Sequence, residues 1–297
     1  MTPNTQPALR RAAARRGFST TLLLLLSPLA ASAQPKGKLP REVAPQVTQL
    51  AELPKDDFKE CSGLVTSRQF PGVLWTHNDG QDRRLFAINR QGKKLGEFEV
   101  QGVFIWDWED LAVDETNRLY VADIGNNLQI RPSLSVHRVA EPDPVTSGKP
   151  LAVERSWQLR FPEQGFDAEG LFIWKADGYL VEKAGKDKKA GLYRWSLDAG
   201  PAVTLEDIGK LEVKSPVTAA DLSPDGTQLG LTTDDGVYAI QFKGGLEQAV
   251  KEKPFRMPFK LGQIEGCSFD RDGLLVISEG RELFLFKAKP FQLSGKE

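Results

Sequence analysis

Only two cysteines occur in 297 residues, which excludes a disulfide-dense scaffold and any zinc site built from four thiolates. Neither sign of charge dominates. Thirty-nine Lys and Arg against 40 Asp and Glu leave a formal charge of −1, without the basic excess of a general nucleic-acid binder. No basic stretch is interleaved with aromatics, so no nucleic-acid partner is expected. Beyond residue 33 no apolar run approaches the ~20 residues of a membrane span. The sequence also lacks a Gly-x-Ser-x-Gly elbow, a P-loop, a His-Glu-x-x-His pair and a Rossmann glycine fingerprint. Histidine is down to two, His77 and His137. What is abundant points elsewhere. The 40% hydrophobic content is enough for a real core. The 27 Gly and 19 Pro follow no fixed period, as in a turn-rich globular fold.

The first 33 residues read as a removable secretory signal. Arg10, Arg11, Arg15 and Arg16 precede an apolar run around Leu22–Leu26, and Ala31-Ser32-Ala33 has the small-x-small form of a cleavage site. Arg15-Arg16-Gly17-Phe18 resembles part of a twin-arginine signature. The apolar character of the leucine run favours the general secretory route instead. Loss of four arginines and no acids leaves 35 basic and 40 acidic residues, a net charge of −5. The expected location is therefore periplasmic or secreted. Residues 34–45, rich in Pro, Lys and Gly, read as a flexible leader, and residues 46–297 as one domain.

That domain is a repeat. Five segments open with a small or acidic pair before a short apolar strand: Ser62-Gly63-Leu64-Val65, Glu109-Asp110-Leu111-Ala112, Glu169-Gly170-Leu171-Phe172, Ala220-Asp221-Leu222-Ser223 and Glu265-Gly266-Cys267-Ser268. Tight-turn residues follow, among them Asp177-Gly178, Asp225-Gly226 and Asp272-Gly273, which accept the positive φ of hairpin turns. Second and third strands with two-residue alternation come next. A fourth precedes each later opening: Gly96–Val100, Ser156–Phe161, Leu211–Lys214 and Phe255–Phe259. The spare strand Val47–Leu53 completes the last unit and closes the ring. Units of about 45 residues with four short antiparallel strands predict an all-β fold, a five-bladed β-propeller, with six blades as the alternative if one has diverged. The Pro-rich stretch Glu141–Pro150 is read as a loop.

In such a blade the start of the first strand and the end of the second lie at one end of the sheet. That places Glu109, Glu169 and Glu265 near the channel axis, with Asn78, Asp79, Asp110, Asp123, Asn126, Lys183 and Glu279 around them. Crowded carboxylates raise one another's pKa or recruit a cation. Carboxylates with asparagine carbonyls form a hard oxygen set suited to Ca²⁺ or another divalent cation. Glu109, Glu169, Glu265, Asp123, Asn126 and Asn78 are the candidate metal ligands. The same acids can equally accept backbone N–H bonds and merely hold the ring together. His77, in the polar strand end Trp75-Thr76-His77-Asn78-Asp79, is the candidate general base. His137, inside a third strand, reads as structural. Phe104, Trp106 and Trp108 alternate in the loop entering the second blade, where Trp106 and Trp108 either stack on a flat ligand or pack between blades. Cys61 and Cys267 open the first and fifth blades, and a disulfide stapling the closure is expected for an exported chain.

Gly72-Val73-Leu74-Trp75-Thr76-His77-Asn78-Asp79, Asp107-Trp108-Glu109-Asp110-Leu111-Ala112 with Asp123-Ile124-Gly125-Asn126-Asn127, and Val217–Gly226 resemble motifs of exported bacterial propellers of largely unassigned function. More distantly, residues 60–287 resemble the calcium-dependent phosphotriesterase superfamily, which includes gluconolactonase and regucalcin. That resemblance implies one divalent cation in the channel, held by one of Glu109, Glu169 or Glu265, with Asn78, Asn126, Asp123 or Asp79 completing the site. The superfamily has six blades, whereas five are counted here. Two functions are therefore expected. One is a monomeric exported propeller whose acidic channel mouth binds a small molecule or an extracytoplasmic protein, through a cation or without one. The other is a metal-dependent hydrolase of lactones or phosphate esters, in which the cation polarises the substrate and His77 or a carboxylate activates water.

Overall fold

The computed structural model describes residues 38–293 except 81, 164 and 165. The secretory signal and the first residues of the leader lie outside the described residues. The described chain is almost entirely β. Two strands come first, β1 (Arg41–Ala44) and β2 (Val47–Glu52). The next four, β3 (Cys61–Thr66), β4 (Val73–Asn78), β5 (Arg84–Asn89) and β6 (Lys94–Gln101), form an antiparallel meander. A second meander is β7 (Trp108–Val113), β8 (Arg118–Asp123), β9 (Leu134–Ala140) and β10 (Leu151–Arg160). The third is β11 (Ala168–Trp174), β12 (Asp177–Glu182) and β13 (Gly191–Ser196), with β14 (Ala202–Thr204) leaving to pair with β10 and β15 (Glu206–Lys210) as its fourth strand. The fourth is β16 (Val217–Leu222), β17 (Gln228–Thr233), β18 (Gly236–Gln241) and β19 (Phe255–Pro258). The last consists of β20 (Ile264–Asp270), β21 (Gly273–Ser278) and β22 (Glu282–Phe286), and its fourth strand is β2 from the other end of the chain.

The antiparallel β2–β22 pairing is the closure expected from the spare N-terminal strand. β1 then adds a fifth strand outside β2, so Arg41–Ala44 is ordered strand rather than flexible leader. The fourth strand expected at Leu211–Lys214 is instead Glu206–Lys210. The outermost strand of this unit is mostly polar and partly to fully exposed, with Ile208 its one apolar side chain, so it carries no apolar alternation to read. Leu211 and Val213, which misled the pattern, are buried in the following loop against Leu192 and Val217.

Alternate residues of each strand feed apolar layers between consecutive meanders. Trp75, Leu85 and Phe98 face Trp108, Leu119 and Val121. Tyr120, Val136 and Trp157 face Leu171, Leu180 and Tyr193. Leu64, Leu74 and Phe86 face Leu275, Ile277 and Leu285, which joins the first meander to the last. Fully burying one such side chain contributes about 1.5–3 kcal/mol. Among the described residues no helix is long and apolar enough to cross a membrane.

These layers correct the disulfide expectation. Cys61 and Cys267 are both buried free thiols. Cys61 packs with Leu275 and Ile277, and Cys267 with Leu274 and Val276. Those pairs alternate along β21, so the two thiols lie in layers on opposite faces of one sheet. The Cβ vectors a bridge requires therefore do not converge.

Candidate functional site

The first strand of every meander carries a one-residue bulge. Pairing skips one residue in β3 between Ser62 and Leu64, in β7 between Trp108 and Asp110, and in β11 between Ala168 and Gly170. It does so again in β16 between Val217 and Ala219, and in β20 between Ile264 and Gly266. A bulged residue leaves the ladder and its side chain is re-aimed. The five bulged residues are Gly63, Glu109, Glu169, Thr218 and Glu265. Three glutamates are thus turned out of their sheets at equivalent places. The other two positions serve the frame. Gly63 has φ +61°, and a Cβ there would lie 2.6 Å from His77 Nε2. Thr218 Oγ1 donates to Ile264 O at 2.6 Å.

The three glutamates open on one small cavity of about 170 Å³, lined also by Ser62, Asp79, Asp107, Asn127, Lys183, Gln263 and Glu279. Six carboxylates therefore share this mouth with one ammonium group. Lys183 Nζ donates to Glu169 Oε1 and, at 3.3 Å, to Asn127 Oδ1. Glu109 is only 8% exposed, and among the described residues its carboxylate accepts no hydrogen bond. It crowds Asp107, because a Cβ on Gly125 would overlap both Glu109 Oε1 and Asp107 Oδ2.

Burial and this crowding favour the neutral acids. Burial, then the charge of Asp79, pushes Asp107 up to about 6. Burial, reinforced by Glu169 and Asp107, holds Glu109 well above the ordinary carboxylate range. Burial lifts Glu169 to about 7 despite the opposing pull of Lys183. Glu265 rises to about 8 through burial and then the charge of Glu169. Glu279 is raised by burial and then by Glu60. Burial alone would lower Lys183, but the Glu169 carboxylate outweighs it and the pKa rises.

Other expected site residues stand elsewhere. Asn78 donates to Asp57 O and Asp82 Oδ2, both at 3.1 Å, and its Oδ1 accepts from Lys59 N. Asn126 bonds Phe166 O and Arg131 N. Asp123 accepts from the backbone of Trp106 and Asp107 and pairs with Arg131 at 3.0 Å. These three pin loops rather than face the cavity. Asp110 is fully buried and accepts three backbone N–H bonds, from Leu111, Leu171 and Ala220, at 2.9–3.1 Å. It staples β7 to β11 and β16.

His77 is also fully buried. Its Nδ1 lies 2.9 Å from Asn78 O, and a carbonyl only accepts, so Nδ1 carries the proton and Nε2 is a bare lone pair. Burial drops its pKa to about 4. The ring meets Trp108 edge-on at 5.7 Å, and Trp108 is itself fully buried in the layer between the first two meanders. His137 Nδ1 sits 2.8 Å from Ser156 Oγ on the neighbouring strand, as a structural histidine would. Trp106 is 50% exposed and stacks under the Arg131 guanidinium, 5.4 Å from the ring centroid.

Among the described residues no group of three or more His, Cys, Asp and Glu is placed to hold a metal ion. The two asparagines and Asp123 are committed to loops, and Lys183 already supplies the positive charge against Glu169.

No protein-family profile and no curated protein matches the sequence. Solved structures do match in shape. A glucose dehydrogenase aligns over 81% of this chain and 99% of its own, with 11% identity and a TM-score of 0.51. Virginiamycin B lyase from Staphylococcus aureus aligns over 75% of this chain with 14% identity and a TM-score of 0.42. The chain spans 64% of that lyase's length. The Dos1 propeller aligns over 76% of this chain with 14% identity and a TM-score of 0.38. The chain has a β-propeller fold. At these identities the likeness is one of fold, and function rests on the site.

Proposed function

We propose that the five four-stranded units are the blades of one ring, and that its acidic channel mouth binds a cationic group of a ligand or partner outside the cytoplasm. The observation that carries this reading is Glu109, a carboxylate nine-tenths buried, without a hydrogen-bond partner among the described residues, facing a cavity shared with five other acids. A buried carboxylate left unpaired is costly. An incoming ammonium or guanidinium group supplies charge and donors together, and these charge-assisted bonds are about twice as strong as neutral ones. Lys183 offsets one carboxylate and leaves the others uncompensated. The metal-dependent hydrolase reading draws less support, since one of its two candidate bases, His77, is enclosed and faces Trp108, which leaves only a carboxylate for that role.

Calorimetric titration with spermidine, arginine amide, CaCl₂ and MgCl₂ at pH 8 and pH 5 tests the reading. The organic cations bind at pH 8, and binding falls about tenfold or more at pH 5, where Asp107, Glu169 and Glu265 are largely protonated. Glu169→Gln weakens it further. Absence of binding by every cation, or binding indifferent to Glu109→Gln and Glu169→Gln, would refute the proposal. Tight saturable uptake of Ca²⁺ or Mg²⁺ alone would return the mouth to metal chemistry.

A further inference from the structure

We infer that the occupant of the mouth is a polypeptide segment that inserts one lysine or arginine into the acidic cavity and lays apolar neighbours on the rim beside it. This rests on the mouth binding a cationic group. Two observations extend it. The first is size. A cavity of about 170 Å³ is well below the ~300 Å³ at which small-molecule sites begin. It admits the end of one long side chain and leaves the rest of any ligand outside.

The second is what lies outside. Seven large apolar side chains are exposed among the described residues, and three of them, Trp106, Leu128 and Leu261, lie within two residues of a cavity-lining residue, with Phe104 packed on Trp106 and Ile130 in the same loop as Leu128. Trp106 directly precedes Asp107, Leu128 directly follows Asn127, and Leu261 is two residues from Gln263, all three neighbours being cavity-lining residues. Phe104 and Trp106 pack edge to face at 6.4 Å. The loop holding Leu128 and Ile130 is locked against Trp106 by Arg131, which donates to Gly125 O and Asp123 O. Phe104 is 75% and Leu128 79% exposed. An exposed, held aromatic patch beside a charged socket carries residue types that dominate protein-recognition hot spots, Trp above all, next to a group that pairs with Lys or Arg. A free polyamine or metal ion would leave this rim unused.

A phage-displayed library of random peptides, panned on the full chain at pH 8, provides the test. Selected sequences are expected to combine a Lys or Arg with at least two aromatic or branched aliphatic neighbours. The leading peptide, labelled and measured by fluorescence polarisation, should bind at least about tenfold more weakly to Phe104→Ser/Trp106→Ala. A second rim variant, Leu128→Ser/Ile130→Ser, should show a loss in the same direction and guards against a local effect on Arg131. Spermidine should bind both rim variants as it binds the parent, whereas Glu169→Gln should weaken spermidine and peptide alike. Peptides without a basic residue, peptides without apolar neighbours, no enrichment at all, or equal peptide binding by both rim variants would each overturn the inference. A dimer abolished by the rim substitutions would also overturn it, by assigning the rim to a second copy of the chain. If spermidine binds while peptides fail, only this inference falls. If spermidine fails as well, the reading of the mouth falls with it.

Discussion

Glu109 and Asp110 are adjacent acids on one strand, and they sit in two different regions of the molecule. Glu109 is the bulged residue of β7 and looks into the channel mouth. Asp110 returns to the ladder and points into the frame, where three backbone N–H groups from three strands converge on it. Both are buried and both are raised by burial. What separates them is satisfaction. The three N–H bonds pull Asp110 back toward ionisation, whereas the nearest influences on Glu109 are two more acids. One region uses carboxylates as cement, with Asp221 doing the same for Phe269 N and Ser268 Oγ. The other leaves them with capacity to spare. A row of similar acids is therefore not one site.

The sharpest way to break this comparison is to delete each acid in turn. Asp110→Ala orphans three buried donors and is expected to cost about 3–5 kcal/mol of stability in urea denaturation. If it costs under about 1 kcal/mol, the cement region is not cement. A smaller effect is expected from Lys183→Met, which removes the ammonium paired with Glu169. At pH 8 it should lower stability by about 1–2 kcal/mol, a figure discounted for its 30% side-chain exposure. Near pH 5, where Glu169 is protonated, the loss should largely vanish. Equal losses at both pH values would show that the lysine acts by packing.

The pH dependence of the parent comes next. Glu169 and Glu265 have folded pKa values of about 7 and 8, above their ordinary value of 4.5. Between about pH 4.5 and 8 the folded state therefore holds more protons than the unfolded state, and stability falls as pH rises. Stability in cation-free buffer should fall across that window by the order of 1 kcal/mol or more per group, and the melting temperature should drop with it. Glu265→Gln should flatten the slope. A melting temperature that climbs from pH 5 to 8 would contradict the crowding described for the mouth. Smallest of all is Glu109→Gln, which removes a charge with no partner. It should leave stability within about 1 kcal/mol or raise it slightly, with the gain larger at pH 8. A loss as large as that of Asp110→Ala would place both acids in the frame.

Much of the architecture is legible in the chain. Two-residue alternation marks the inner three strands of the units and Asp225-Gly226 and Asp272-Gly273 mark two of the turns, whereas Asp177-Gly178 opens β12 and the positive-φ turn residue before it is Lys175; the unpaired apolar segment Val47–Leu53 marks the closing strand. The outer strand Glu206–Lys210 is not legible, because a half-exposed polar edge imposes no pattern. Glu109, Glu169 and Glu265 were placed together because they recur at one point of the repeat. The repeat assigned Ser62 and Ala220 to that point, whereas pairing assigns Gly63 and Thr218. A signal was present. Trp108 and Leu111, Ala168 and Leu171, Ile264 and Cys267 are buried apolar residues three apart, a slip in the two-residue rhythm that marks a bulge. Asn78, Asn126 and His77 carried no such signal, since a polar strand end reads the same whether it faces the channel or a neighbouring loop.

By itself the sequence determined the repeating four-stranded unit and the acids at its openings, because strand periodicity and turn chemistry are set by neighbours a few residues apart. Only the tertiary structure decided which acids meet. Asp107 and Glu109 reach Glu169, Lys183 and Glu265 through bulges, register and the packing of blades far apart in the chain. The same packing put Cys61 and Cys267 on opposite faces of one sheet and left them as thiols.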